Sequence, residues 1–167
     1  PSMQDVYGLT PVGISGYPMY RGIASVVGMD TPETDWDVDA ELDLLQRRWR
    51  ENAAEDFFYV HVKKTDSAGE DGDFDKKVHL LEEVDARIPR ILELEPEVLV
   101  VTGDHSTPSV MGSHSWHPVP TVIASDRGIP LPGGQLTERS CAAEPGGCQA
   151  ITSSEEATNS TVLSARS

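Results

Sequence analysis

Cysteine is nearly missing from this chain, and the little there is does no visible work. Cys141 and Cys148 lie in a stretch rich in glycine, proline and serine and do not form a CxxC pair. That spacing supports neither a zinc site nor a disulfide framework. Basic residues are scarce as well. Thirteen lysines and arginines stand against 28 aspartates and glutamates, a formal net charge of -15. Such a surface repels a polyanion, so a nucleic-acid partner is not expected. Long apolar runs are lacking, and with them any visible spanning segment or signal peptide; the expectation is a cytoplasmic chain without membrane attachment. The sequence has no Walker A loop, no GxGxxG and no GxSxG elbow, so nucleotide cradling and serine-hydrolase chemistry have no support.

What remains is enough for one domain with a sizeable core and too little for two, at 167 residues. Most of the acidity serves solubility, yet it is compatible with a cation site, where a metal neutralises carboxylates held close together. In chain order the pattern predicts a short strand over 12–15 and a short helix over 23–27 ended by Gly28. An amphipathic helix over 38–52 follows, with Leu42, Leu45 and Trp49 on one face. An aromatic and β-branched strand over 57–62 runs into a polar loop over 63–73. Next comes a long helix with Phe74, Val78, Leu81, Val84, Ile88 and Ile91 on one stripe, capped by Asp73. Strands over 98–101 and 119–124 complete the series. This alternation indicates an α/β fold, a mostly parallel sheet with helices on both faces.

Ligands of such sheets bind beyond the carboxyl ends of the strands. Asp66 follows one predicted strand end, and Asp104 and His105 follow another. Carboxylate and imidazole at that edge are the donors a divalent cation takes. If the 63–73 loop forms a helical turn, Asp66 and Glu70 share a face and grip one ion. An EF-hand does not fit, because its twelfth position would be Val78. Of His114 and His117, one reads as a ligand and the other as a substrate contact or surface residue. His61 reads as a hydrogen-bonded core histidine and His79 as solvent-facing. Lys63, Lys64 and Arg21, close to strand ends, suit either a phosphate or the surface.

Five segments then fall into register with one known family: YPMYRG (Tyr17 to Gly22), VVGM (Val26 to Met29), HVKKTDSAGEDGDF (His61 to Phe74), VTGDHSTP (Val101 to Pro108) and HSWHPVP (His114 to Pro120). Together they resemble the 2,3-bisphosphoglycerate-independent phosphoglycerate mutases of the archaeal-type branch, within the alkaline phosphatase superfamily. The resemblance covers roughly residues 5–125. It implies an isomerase that uses two divalent ions, manganese first, with magnesium, zinc or cobalt as alternatives. These would act on a small phosphorylated substrate, interconverting 3- and 2-phosphoglycerate through a phosphoserine. By the same resemblance, Asp104 and His105 hold one metal with the serine nucleophile, while Asp66, Glu70 and His114 hold the other. Arg21, Lys63 and His117 are the candidate substrate contacts. Glu70 stands where many relatives have histidine.

The family's serine and a further aspartate ligand come from a part that precedes this stretch, and no serine here takes that position. The expectation is therefore an incomplete alkaline-phosphatase-like core over 1–127, the C-terminal portion of a longer enzyme, followed by a divergent, partly disordered tail over 128–167. Alone, the chain is expected to be inactive. A metal-dependent phosphoester hydrolase of the same superfamily and a non-catalytic metal-binding remnant remain the alternatives. Oligomeric state cannot be read from the sequence.

Overall fold

The computed structural model describes residues 1–127 together with two short strands at 148–151 and 164–165. In order these are α1 (Met3–Tyr7), β1 (Pro11–Ile14), α2 (Pro18–Val26), α3 (Val38–Glu51), β2 (Phe57–Val60), α4 (Lys64–Glu70), α5 (Phe74–Asp85), α6 (Ile88–Leu92), β3 (Val98–Thr102), β4 (Thr121–Ser125), β5 (Cys148–Ile151) and β6 (Ser164–Ala165). Asp37 caps α3 through the amides of Asp39 and Ala40, and Asp73 caps α5 through that of Lys76, as its position predicted. Pro18 sits in the first turn of α2, where its missing N–H costs nothing.

The strands form one sheet in the order β1-β2-β6-β3-β4-β5. β1 and β2 are parallel, as are β4 and β5. β6 is antiparallel to both β2 and β3, so β1, β2 and β3 all point the same way. The sheet is thus more mixed than the alternation of elements implied, because β4 runs antiparallel to β3. Helices lie on both faces. Val12, Ile14, Phe58, Val60, Leu99, Val101 and Val122 turn to one side and pack with Leu42, Leu45 and Trp49 of α3 and with Ile88 and Ile91 of α6. Trp49 meets Phe58 with ring centroids 5.2 Å apart. On the other side α2 crosses so closely that a Cβ at Gly13 would stand 2.8 Å from that of Ala24.

Two expectations are corrected. The polar 63–73 loop is largely a helix, α4, whose buried residues are only Ala68 and Gly69; it has no apolar stripe to announce it. The long helix is two helices. Arg87 leaves the helical run to pair with Asp39 of α3, and Pro89 starts α6, which turns Ile88 and Ile91 into the core. The front of the predicted stripe does not follow them: Phe74, Val78 and Leu81 are exposed, and Leu80 is the buried residue of α5. Cys148–Ile151 and Ser164–Ala165 are strands within the 128–167 segment, whose expectation was a divergent, partly disordered tail. The remainder of the 128–167 segment, Cys141 included, lies outside the described residues.

Candidate metal centre

Because β1, β2 and β3 share a direction, their carboxyl ends open on one edge, and the chain leaving each end carries the polar residues. Past β2, the parallel ladder continues one step, His61 N–H donating to the Ile14 carbonyl at 3.0 Å. Then α4 begins, and the i, i+4 spacing brings Asp66 and Glu70 onto one face. Past β3 come Asp104 and His105. His114 is returned to them by a turn at Pro108–Gly112, where Gly112 takes φ 59°, and by a bridge between Ser106 and Ser115, the Ser115 amide donating at 2.8 Å.

The result is a cluster. Asp66, His105 and His114 each offer a donor atom within 4.8 Å of the others. His114 Nε2 lies 3.7 Å from Asp66 Oδ1 and 3.3 Å from Glu70 Oε1. The His105 and His114 rings stack at 3.8 Å between centroids. Asp104 Oδ2 lies 3.6 Å from His105 Nε2 and accepts a hydrogen bond from Tyr20 Oη at 2.9 Å. The structure therefore brings together Asp66, Glu70, Asp104, His105 and His114. Lys63 joins them, its ammonium bonded to Asp66 and 3.5 Å from Glu70.

The other two candidates are placed elsewhere. His117 bonds Ser115 Oγ at 2.8 Å and stacks on the exposed Trp116. Arg21 lines a cavity of about 710 Å³ walled by the Glu33–Trp36 loop and by Ala40, Asp43, Leu44 and Arg47 of α3. His61 is not the hydrogen-bonded core residue its strand position suggested. Among the described residues its Nδ1 is buried without a partner, its Nε2 lies 3.8 Å from Asp104, and its ring stacks on Tyr20 at 3.6 Å.

Electrostatics keep Asp66 and Asp104 charged. Burial pushes the Asp66 carboxyl up, but the Lys63 ammonium and the Thr107 hydroxyl more than offset this, and its pKa lies below the ordinary value. Asp104 behaves alike: burial raises it, the Tyr20 hydroxyl and His105 lower it, and the balance is downward. Burial pushes the Tyr20 phenol well up and holds the His61 imidazole down, so Tyr20 keeps its proton for Asp104. Carboxylates and imidazoles are the donor types a divalent cation takes, and the spacing of Asp66, His105 and His114 fits one.

Two residues of this centre escaped the sequence reading. Thr107, 3% exposed, donates its hydroxyl to Asp66 and touches His105 Nδ1 at 3.0 Å. Its carbonyl accepts from Lys77 Nζ at 2.5 Å. Tyr20 reaches Asp104 from 84 residues away. Both stand in segments that carry the resemblance, VTGDHSTP and YPMYRG, but a lone threonine or tyrosine has no periodicity to mark it. Gly69 is the third necessity: a Cβ there would lie 2.4 Å from the Thr107 carbonyl, so only glycine lets α4 carry Asp66 this close.

Comparison with known proteins places the chain in a family. Relatives named probable 2,3-bisphosphoglycerate-independent phosphoglycerate mutase are 48% identical over 142 residues in Aquifex aeolicus, 52% over 143 in Deinococcus radiodurans and 55% over 125 in Thermotoga neapolitana. These alignments take in 84%, 85% and 75% of this chain but 34%, 35% and 30% of the relatives, so the chain spans about a third of their length. The solved structure of the PH0037 protein from Pyrococcus horikoshii matches at a TM-score of 0.73 and 27% identity, over 90% of this chain and 41% of that one. This bears out the α/β fold. A model of the Metalloenzyme superfamily matches residues 1–147, and with most of the sequence inside that match the chain belongs to the Metalloenzyme superfamily.

Proposed function

We propose that this chain supplies the greater part of a two-cation centre in a phosphoglycerate mutase, an isomerase that interconverts 3- and 2-phosphoglycerate. The observation that carries the reading is the convergence of Asp66, Glu70, Asp104, His105 and His114 at one sheet edge. The names of the relatives supply the reaction. Asp66, Glu70 and His114 would hold one ion, and Asp104 and His105 the other. Manganese is the first candidate, as the family resemblance implies, with magnesium, zinc and cobalt as alternatives; the carboxylates suit manganese or magnesium and the imidazoles suit zinc. When bound, the ions supply charge neutralisation for a transferring phosphoryl group and lower the pKa of a hydroxyl beside them.

The chain's own residues then have defined tasks. Lys63 lies against Asp66 and Glu70 and offsets the like charge of the two acids, and from there it can reach a substrate phosphate. Tyr20 orients Asp104 through its hydrogen bond, and His61 backs the Tyr20 ring. Arg21 and His117 would contact substrate only when it extends toward the α3 cavity or the Trp116 loop. The serine that carries the phosphoryl group in the family is assigned to a part of the protein beyond these 167 residues, and the location is read as cytoplasmic, in keeping with a glycolytic role.

Two assays test this. The longer protein containing this sequence should interconvert the phosphoglycerates with manganese and hydrolyse a generic phosphoester slowly; dominant hydrolysis would favour a phosphatase of the same superfamily. The isolated chain should show no mutase turnover, and robust turnover by it would overturn the division of labour.

A further inference from the structure

We propose that Thr107 is a positioning residue that fixes which nitrogen of His105 faces a cation, and so divides the clustered acids and imidazoles into two ligand sets. This rests on the metal-centre reading above. The reasoning is a count of hydrogens. A threonine hydroxyl has one hydrogen to give, and an ionised carboxylate only accepts. Thr107 spends its hydrogen on Asp66 Oδ1. The 3.0 Å contact between Thr107 Oγ1 and His105 Nδ1 must then take its hydrogen from the ring. His105 is therefore protonated on Nδ1, and its free lone pair lies on Nε2, the nitrogen 3.6 Å from Asp104 Oδ2.

That choice decides the partnership. His105 stacks on His114 and lies within donor reach of Asp66, so on distance alone it could join their set. With Nδ1 committed to Thr107, its donor atom is turned to Asp104 instead, leaving Asp66, Glu70 and His114 as the second set. A histidine ligand ordinarily donates its other N–H to an outer partner that fixes ring and tautomer. Here that partner is a hydroxyl anchored on a ligand of the opposite set, so each set holds the other in register. Thr107 cannot drift: it is buried, Lys77 holds its carbonyl, and α4 lies against it at Gly69.

Histidine tautomers are read directly by long-range ¹H–¹⁵N correlation of the imidazole rings in the metal-free chain, at a pH above the ordinary imidazole range. Wild type and Thr107→Ser should show His105 protonated on Nδ1, while Thr107→Val should lose that preference. In calorimetric titrations with manganese chloride alone, Thr107→Val should bind roughly 10–100-fold more weakly and Thr107→Ser within about threefold of wild type. A wild-type His105 protonated on Nε2 overturns the proposal without recourse to any variant, so it stays decidable if the valine chain does not fold. Unchanged tautomer and affinity in Thr107→Val overturn it equally. A wild type with the Nδ1–H tautomer that takes up no manganese supports the hold of Thr107 on His105 and overturns the metal-centre reading itself.

Discussion

Asp66 is a hub of the centre: Lys63 and Thr107 bond it, and His105 and His114 lie 3.8 and 3.7 Å from its Oδ1. Removing its charge while keeping its shape should remove the hub. Asp66→Asn is expected to weaken manganese binding by at least roughly 100-fold, more than the loss of an outer partner costs, with calorimetry as the check; affinity within about threefold of wild type would count against it. Glu41 offers a second test at this scale. It is 2% exposed, its Oε1 accepts from the Gly16 amide at 2.8 Å, and burial raises its pKa from 4.5 to about 7 against that bond. A carboxyl raised on folding binds protons better in the folded chain, so its stability contribution is complete below about 4.5 and lost as pH rises through about 7. The loss is on the order of 3 kcal/mol at most. Glu41→Gln keeps the acceptor for Gly16 and has no charge to bury. Urea unfolding should therefore show the variant gaining on wild type between pH 5 and pH 8, and a constant difference would refute this. Asp66, Asp104 and His105 were legible because their chemistry is rare at strand ends. Thr107 and Glu41 were not, since hydroxyls and acids are common and only a fold shows what they touch.

At the level of elements, α4 matters most and was the hardest to see. KTDSAGE has no apolar period, because the helix buries only Ala68 and Gly69 against the Thr107 segment. Gly69→Ala would drive a methyl to 2.4 Å from a backbone carbonyl. The expected cost is about 1–3 kcal/mol with a lowered Tm, as for other overpacking changes. Gly22 provides the control, for nothing among the described residues lies within 4 Å of a Cβ there. Gly22→Ala in α2 should leave the Tm unchanged or raise it slightly, by up to about 1 kcal/mol of stability. Equal effects of the two substitutions would show that α4 is not wedged as described. The core strands and α3 were legible from β-branched runs and from the Leu42, Leu45, Trp49 spacing. The α5–α6 break was not, because it depends on Arg87 and Arg90 finding Asp39 across the molecule.

For the molecule as a whole, charge and topology work together. The net charge of -15 surrounds an edge at which β2 and β3 deliver acids and imidazoles. A cation is drawn in by that field, and salt screens it: the Debye length falls from about 30 Å at 0.01 M to about 3 Å at 1 M. Manganese affinity should accordingly fall several-fold as sodium chloride rises over that range, whereas an affinity indifferent to salt would leave the acidity to solubility alone. The α/β class and the edge that carries the site could be read from the order of elements. Strand directions could not, since β6 comes from the end of the chain to lie between β2 and β3.

The most direct test is an anomalous-difference map from crystals of the chain grown with manganese. The account predicts density between Asp66, Glu70 and His114 and, more weakly where ligands from outside the chain are wanting, beside Asp104 and His105 Nε2. A map with manganese only at scattered surface acids, or with none, would contradict it.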